Sequence, residues 1–373
     1  MRTVRFGDVA SRLNIHVDQD NTNLEYYVGG EHIDSREFLI TKKAPIKGST
    51  IGYQFQFGFR EGDILFMTKN PHLRKCSLVE FDGLCSIATF VIHSNDENIL
   101  LQKYLLLEMQ TDRFWEYCEA HKSGGVNYFI TWGTLSNYIF DIPDIDIQKK
   151  SADKAWAAYE LKLSYRDMIK ATDEMLKSQF IEMLKGKAIN GTISDLVAPK
   201  IANVKKTYSH DDTIKYIDIS SINAEVHSVS QVTEYSVKNA PSRAQQCVKY
   251  GDLLVSTVRP INRNIAIVDK DLDNLVASTG FCVLRPNDGM LNYLLSIVLS
   301  DDFTNAMCDK ANGGVYPAVN NGDVLNYQIH IPDDDLAKRA SLVRQQADKS
   351  KFELKQSIEA IDKVIKSLIN ENL

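Results

Sequence analysis

The chain has 373 residues, enough for two or three domains that each bury a core of their own. Hydrophobic content of 44% and charged content of 25% are those of a soluble globular protein, and no apolar run reaches the roughly 18–20 residues of a membrane span. A net charge of −6 excludes a uniformly basic coat, though it leaves room for local basic fields.

The opening "MRTVRFGDVA" lacks the apolar core of a signal peptide, so a cytoplasmic location is expected. Six cysteines are scattered without a C-x-x-C pair, which predicts reduced thiols and neither a zinc site nor a disulfide framework. Taken in chain order, "YVGGEHI" from Tyr27 is followed by short β-type runs, "GDILFMT" from Gly62 and "ATFVI" from Ala88. "KYLLLEMQTDRFWEYCEAHKSGG" (Lys103 to Gly125) reads as one helix, with the paired glycines as its C-terminal cap. From about Asp146 to Leu184 Gly and Pro are absent and helix formers dominate, predicting a long helix. Gly186 follows as a C-cap, and "NGT" (Asn190 to Thr192) as a turn.

The same elements then recur. Gly62 and Gly251 differ by 189, as do Gly124 and Gly313, which open "GGVNYFITWGTLSNYIFDIPD" and "GGVYPAVNNGDVLNYQIHIPD". Those two segments share nine of 21 positions without a gap. The offset also joins "YLL" at Tyr104 to "YLL" at Tyr293, Asp112 and Phe114 to Asp301 and Phe303, and "YVGGEHI" to "YIDISSI" at Tyr216. One offset across five separated segments marks an internal duplication. The expected architecture is α+β: a globular domain over 1–145, a long helix over 146–188, a second globular domain over 189–334 and a second long helix over 335–373.

In the last helix Ala347, Lys351, Leu354, Ile358, Ile361, Ile365 and Leu368 step by four and three, the a/d seam of a coiled coil with one lysine in it. Subtracting 189 gives Ala158, Lys162, Tyr165, Ile169, Thr172, Leu176 and Gln179, in the same register. Each helix is roughly 57 Å long at 1.5 Å per residue, too long for a small domain to cover, so the two helices are expected to pair.

Signs of catalysis are lacking: there is no G-x-S-x-G, H-E-x-x-H, Walker A or G-x-G-x-x-G motif. "NPHL" (Asn70 to Leu73) only faintly suggests an adenine methyltransferase motif, without its second proline or aromatic. The acids of "IPDIDIQKK" (from Ile142) sit where a helix begins and read more simply as caps.

The pair "GDILFMTKNP" and "GDLLVSTVRP", with "GGVN…IFDIPDIDIQKK" and "GGVY…IHIPDDDLAKR" each running into a long helix, resembles the specificity subunits of type I restriction–modification enzymes over essentially the whole chain. The resemblance implies a non-catalytic reader of double-stranded DNA. Each globular domain would be a target recognition domain for half of a split site, and the helices an antiparallel spacer. It further implies two modification (methyltransferase) subunits as partners, with restriction subunits able to join them. This chain would hold no cofactor; S-adenosylmethionine would be carried by the methyltransferase. The second helix entry, "DDLAKRASL", departs from the "DIQKK" of the first, which implies weaker docking there without contradicting the resemblance.

Charge placement agrees with that reading. Thr41 to Lys75 holds seven Lys/Arg against two acids, and Lys238 to Asn264 five against one. Phosphates are met by Lys and Arg, base edges by Arg, Lys, Asn and Gln. The candidate DNA-binding residues are Lys42, Lys43, Lys47, Lys69, Asn70, Arg74 and Lys75, with Gln54 and Gln56 as base readers. In the second copy they are Arg243, Gln245, Gln246, Arg259, Asn262, Arg263 and Asn264. Gly62, Asp63, Gly251 and Asp252 read as structural. Two other classes stay open: a standalone DNA-modifying enzyme, which would itself bind S-adenosylmethionine, and a duplicated protein-binding scaffold, whose duplex binding would lack a steep salt dependence.

Overall fold

A computed structural model describes residues 1–224, 226–312, 314 and 317–371. Gly313, Val315 and Tyr316 of the second "GGVY" segment lie outside the described residues, as do the last two positions of the expected final helix. The chain forms two compact units: Met1–Asp167 with the chain from Leu354 onward, and Met168–Glu353. The division therefore falls inside the two long helices, Ile145–Leu184 and Asp334–Glu371, and not at their ends.

The first unit contains two larger sheets and a two-stranded one, Arg2–Arg5 with Ile139–Ile142. One orders Ala10–Leu13, Thr89–Ser94, Ile64–Met67 and Cys76–Leu78, all antiparallel. The other orders Ile15–His16, Phe55–Phe59, Gly83–Ser86, Tyr26–Val28 and Ala44–Pro45, with one parallel pair between Tyr26–Val28 and Gly83–Ser86. "GDILFMT" forms a strand buried on both faces. Ile64 and Phe66 point into the core shared with Tyr104, Phe114 and Trp115, while Leu65 points into a second core with Val28 and Phe57. Gly62 enters this strand at φ 91°, where a β-carbon is disfavoured. Asp63, buried, accepts from the Arg60 N–H at 2.8 Å.

The second unit repeats this plan. Thr233–Ser236, Thr213–Ile217, Leu275–Ser278 and Ala244–Cys247 form one sheet, again with a parallel pair, Thr213–Ile217 and Leu275–Ser278. The other orders Ile222–Asn223, Ser228–Val229, Ile265–Ile267, Leu253–Ser256 and Phe281–Leu284. Leu253 and Val255 face one core and Leu254 the other. Gly251 has φ 85°, and Asp252 accepts from the Lys249 N–H at 2.9 Å. Duplication and the α+β class are thus plain in the backbone.

One expected element divides. Lys103 to Gly125 forms two helices, Gln102–Gln110 and Asp112–Ala120, because Thr111 turns extended (φ −64°, ψ 150°) and caps the second by accepting from the Phe114 N–H. Ser300 does the same between Leu291–Val298 and Asp301–Lys310. Gly124 is not the helix cap either. It lies beyond it at φ 98°, and a β-carbon there would stand 2.5 Å from the Asn127 carbonyl oxygen, so the close turn itself requires glycine. Gly186, at φ 72°, does follow the end of its helix as expected.

Both units contain a stretch of each long helix. In the first, Ala152, Ala155, Trp156 and Tyr159 join the domain core together with Ile365 and Ile369, and Lys162 meets Asp362 at 2.6 Å. In the second, Asp173 meets Lys351 at 2.8 Å, and farther along Gln179, Glu182 and Met183 lie beside Arg339, Leu342 and Val343, so the stretches run antiparallel. The lysine of each seam is answered by an aspartate of the other helix, with the same 189-residue offset between the two pairs. Leu176, Ala347 and Ile365 are buried; Tyr165, Ile169, Thr172, Leu354, Ile358, Ile361 and Leu368 are half-buried.

Candidate nucleic-acid interface

After the buried strand, "TKNPHLRK" makes a short 3₁₀ turn, Pro71–Leu73, flanked by two left-handed residues, Asn70 (φ 55°) and Arg74 (φ 49°). "TVRPINRN" makes the same turn, Pro260–Asn262, between Arg259 (φ 48°) and Arg263 (φ 47°). Left-handed arginine is costly unless its surroundings hold it. Here the following arginine is held: Arg74 bonds to Asp112, and Arg263 to Asp301 at 2.5 Å, each acid opening a helix. Burial opposes ionisation of Asp112, but the hydrogen bond from Arg74 and the charges of Lys366, Arg74 and Arg36 prevail and lower its pKa. Asp301 is lowered chiefly by its bond from Arg263, then by Lys177.

The glycine-rich segment folds back onto this turn. Asn70 N–H donates to the Tyr128 carbonyl at 2.9 Å and Ile130 N–H to Thr68 at 3.0 Å; Arg259 donates to Pro317 at 2.8 Å and Val319 to Thr257 at 2.9 Å. A third loop joins on the other side. Thr68 donates to Ala88 and Ile87 to Gln54, both at 2.9 Å, while Thr257 donates to Gly280 and Thr279 to Arg243, also at 2.9 Å. Each unit therefore has one edge built from four loops in the same order.

The candidates divide over this geometry. Gln54, Lys69 and Asn70 share the edge in the first unit, as do Arg243, Arg259 and Asn262 in the second, and Gln54, Lys69, Arg243, Arg259 and Asn262 are exposed. Arg74 and Arg263 stand on the edge but are engaged by their acids. Lys75 donates to the Gly30 carbonyl at 2.5 Å, and Gln246 donates to Ser278 and Phe281 at 2.8 and 2.9 Å. Gln245 donates to Ser242 at 2.7 Å. Gln56 and Asn264 are half-buried, their carbonyls accepting from Val17 and Ser256. Lys42, Lys43 and Lys47 lie apart, about strand Ala44–Pro45 at the far side of the five-stranded sheet. There Lys42 pairs with Asp34 at 2.8 Å, Lys43 sits 3.8 Å over the Tyr26 ring, and Lys47 is exposed.

Sequence reasoning missed Tyr53 and Val126, 88% and 93% exposed, on two loops of the first unit's edge. An aromatic next to Gln54, a candidate base reader, was a signal present in the sequence. Burial pushes the thiols of Cys85, Cys118 and Cys282 up to about 12, and among the described residues no group of three His, Cys, Asp or Glu is placed to hold a metal.

No family model matches the chain. The type I restriction enzyme HindI specificity subunit of Haemophilus influenzae is 32% identical over 108 residues, which is 28% of this chain and only 24% of that protein. A solved chain described under "complex assembly and conformational transition of the type I R-M system" covers 100% of this chain, and is covered to 98%, with a TM-score of 0.57 at 17% identity. The S subunit of a type I system from M. genitalium overlaps over 98% of this chain and 95% of its own at 13% identity, but its TM-score of 0.49 carries no weight. The chain resembles a type I specificity subunit in sequence over part of its length, and a solved chain from a type I system in fold throughout.

Proposed function

We propose that this chain is the DNA-reading, non-catalytic subunit of a type I restriction–modification complex, acting in the cytoplasm. The observation that carries the reading is the four-loop edge, built twice on one frame with different exposed residues. Gln54 in the first copy corresponds to Arg243 in the second, Lys69 to Val258, Asn70 to Arg259 and Leu73 to Asn262. Arg, Asn and Gln suit base edges and Lys suits phosphates, so unlike residues on like frames would read unlike half-sites. Lys42, Lys43 and Lys47 would then serve backbone contact away from the bases. The long helices would hold the half-sites apart, within reach of a DNA turn of roughly 34–36 Å. They would also receive two methyltransferase subunits, which bring S-adenosylmethionine and methylate adenine, and restriction subunits would complete the complex.

Methylome sequencing of cells that express this chain with its cognate methyltransferase tests the proposal. The expected outcome is a new adenine-methylated site of two unlike halves around a fixed gap. Replacing residues 1–145 by the corresponding part of a similar protein should change one half alone. Methylation at a single continuous motif, or S-adenosylmethionine binding by the isolated chain, would overturn it.

A further inference from the structure

In the second unit a groove of about 180 Å³ opens between the helices, lined by Leu176, Phe180 and Arg344 on the long helices and by Leu299 and Ser300 opposite. Arg344 is only 7% exposed, yet its Nε has no hydrogen-bond partner among the described residues. Asp173 and Asp348 are near enough to act on its charge, but both are engaged by Lys351, at 2.8 and 3.1 Å. Burial pulls the guanidinium's pKa down against those two acids, and even so an arginine does not give up its proton. A desolvated cation with an unbonded Nε, whose nearest acids are shared with a lysine, is costly. The fold does not demand it, because the equivalent position in the first copy is Ala155, which is 1% exposed.

We propose that this groove receives a carboxylate carried on an apolar stem, with Arg344 as its charge partner. The planar guanidinium fork matches a carboxylate, and Leu176, Phe180 and Leu299 suit the stem. Asp301 and Asp302 at the rim oppose a multiply charged phosphate, while Asp301 is itself offset by Arg263 and by Lys177 at 3.5 Å. The size suits a small ring or branched chain, since a cavity of about 150 Å³ holds benzene. The carboxylate would come either free from solution or from an acidic side chain of a bound protein.

Calorimetric titration of the full-length chain with benzoate and with neutral benzamide tests the chemistry. Benzoate should bind saturably and at least tenfold more tightly than benzamide, and Arg344→Met should erase that preference while raising the thermal midpoint of the ligand-free chain. Equal binding of the two probes by the natural chain, a preference that survives Arg344→Met, or a lowered midpoint in that variant would each overturn the proposal. A second titration, with the methyltransferase subunit present, separates the sources. Competition assigns the carboxylate to that subunit, and undiminished benzoate binding assigns it to a free ligand. Only this second arm rests on the proposed function, so failure of that reading leaves the benzoate comparison intact.

Discussion

Glu37 and Val226 occupy the same place in the two copies, and Glu37 ties its domain to a long helix through its carboxylate. Glu37, its side chain 13% exposed, accepts from Tyr159 at 2.9 Å, Lys162 at 3.0 Å and both terminal nitrogens of Arg166 at 2.9 and 2.8 Å. Next to it Phe38 stacks on Tyr159, ring centroids 4.6 Å apart. In the second copy Val226 is 42% exposed, and Phe38 is replaced by His227, whose ring nitrogen lies 3.2 Å from the Ile265 carbonyl. The same exchange occurs in the core. Glu108, fully buried and bonded by the more exposed Arg113 and by Tyr138 at 2.7 Å, corresponds to Ile297. One frame accepts an ionic or an apolar solution at a given point, so these ionic groups are not requirements of the fold. The pairs Lys162–Asp362 and Lys351–Asp173 differ in kind: both copies keep them, which ties them to helix pairing.

The sharpest way to break this contrast is at its two ends. Glu37→Ala strands the buried Lys162 with Asp362 alone and should cost about 3 kcal/mol. Val226→Ala, at a half-open apolar site, should cost less than about 0.5 kcal/mol. Trp115, Trp132 and Trp156 all lie in the first copy, so tryptophan fluorescence during urea unfolding reads the Glu37 variant, and far-ultraviolet circular dichroism, to which both units contribute, reads the Val226 variant. Similar small losses for the two variants would show that the Glu37 cluster is ornamental and that both copies attach by apolar packing.

The same glutamate supplies a pH test of smaller size. Burial by itself raises the pKa of Glu37, but the hydrogen bonds and charges of Arg166 and Lys162 outweigh it and leave the value below the ordinary 4.5. A carboxyl group lowered by folding stabilises fully above its unfolded pKa, and that stabilisation drains away as pH falls through the folded value. The tryptophan-reported stability of the first unit should therefore decline as pH drops below 4.5, and Glu37→Gln should flatten part of that decline. An acid profile left unaltered by Glu37→Gln would assign the decline to other carboxylates.

Much of this contrast was legible in the chain, because duplication prints the frame twice and leaves the differences exposed. The 189-residue offset reveals the two domains, the Gly-Asp turns and the lysines of the helix seams. Other features required tertiary structure. Nothing in "TKNPHLRK" announces that Arg74 adopts a left-handed conformation, since arginine has no preference for it and its side chain is held by Asp112, 38 residues on. The backbone bonds that fold the glycine-rich segment onto that turn join residues about 60 apart, beyond any local pattern. The break at Thr111 was readable as a capping threonine followed by aspartate, but the apolar run on both sides concealed it. Of the basic residues, charge alone could not separate Lys69, exposed on the four-loop edge, from Lys75, bound to the Gly30 carbonyl.

That last distinction gives the finest test of how the copies differ. Lys69 is exposed and its equivalent is Val258, so Lys69→Val transplants the second copy's residue without disturbing the core. Unfolding midpoints should stay within about 0.5 kcal/mol. If Lys69 meets a phosphate, duplex affinity should fall by roughly threefold to tenfold in 0.15 M salt, and the negative log–log salt slope should shrink by about 0.9. If it reads a base, the slope should hold, and discrimination at one position of one half-site should relax by about 1–3 kcal/mol. Fluorescence anisotropy with a panel of duplexes at several salt concentrations distinguishes the two roles. Unaltered affinity, slope and discrimination would remove Lys69 from the proposed interface and leave the proposed reading of the first half-site to Gln54 and Asn70, its neighbours on the same edge.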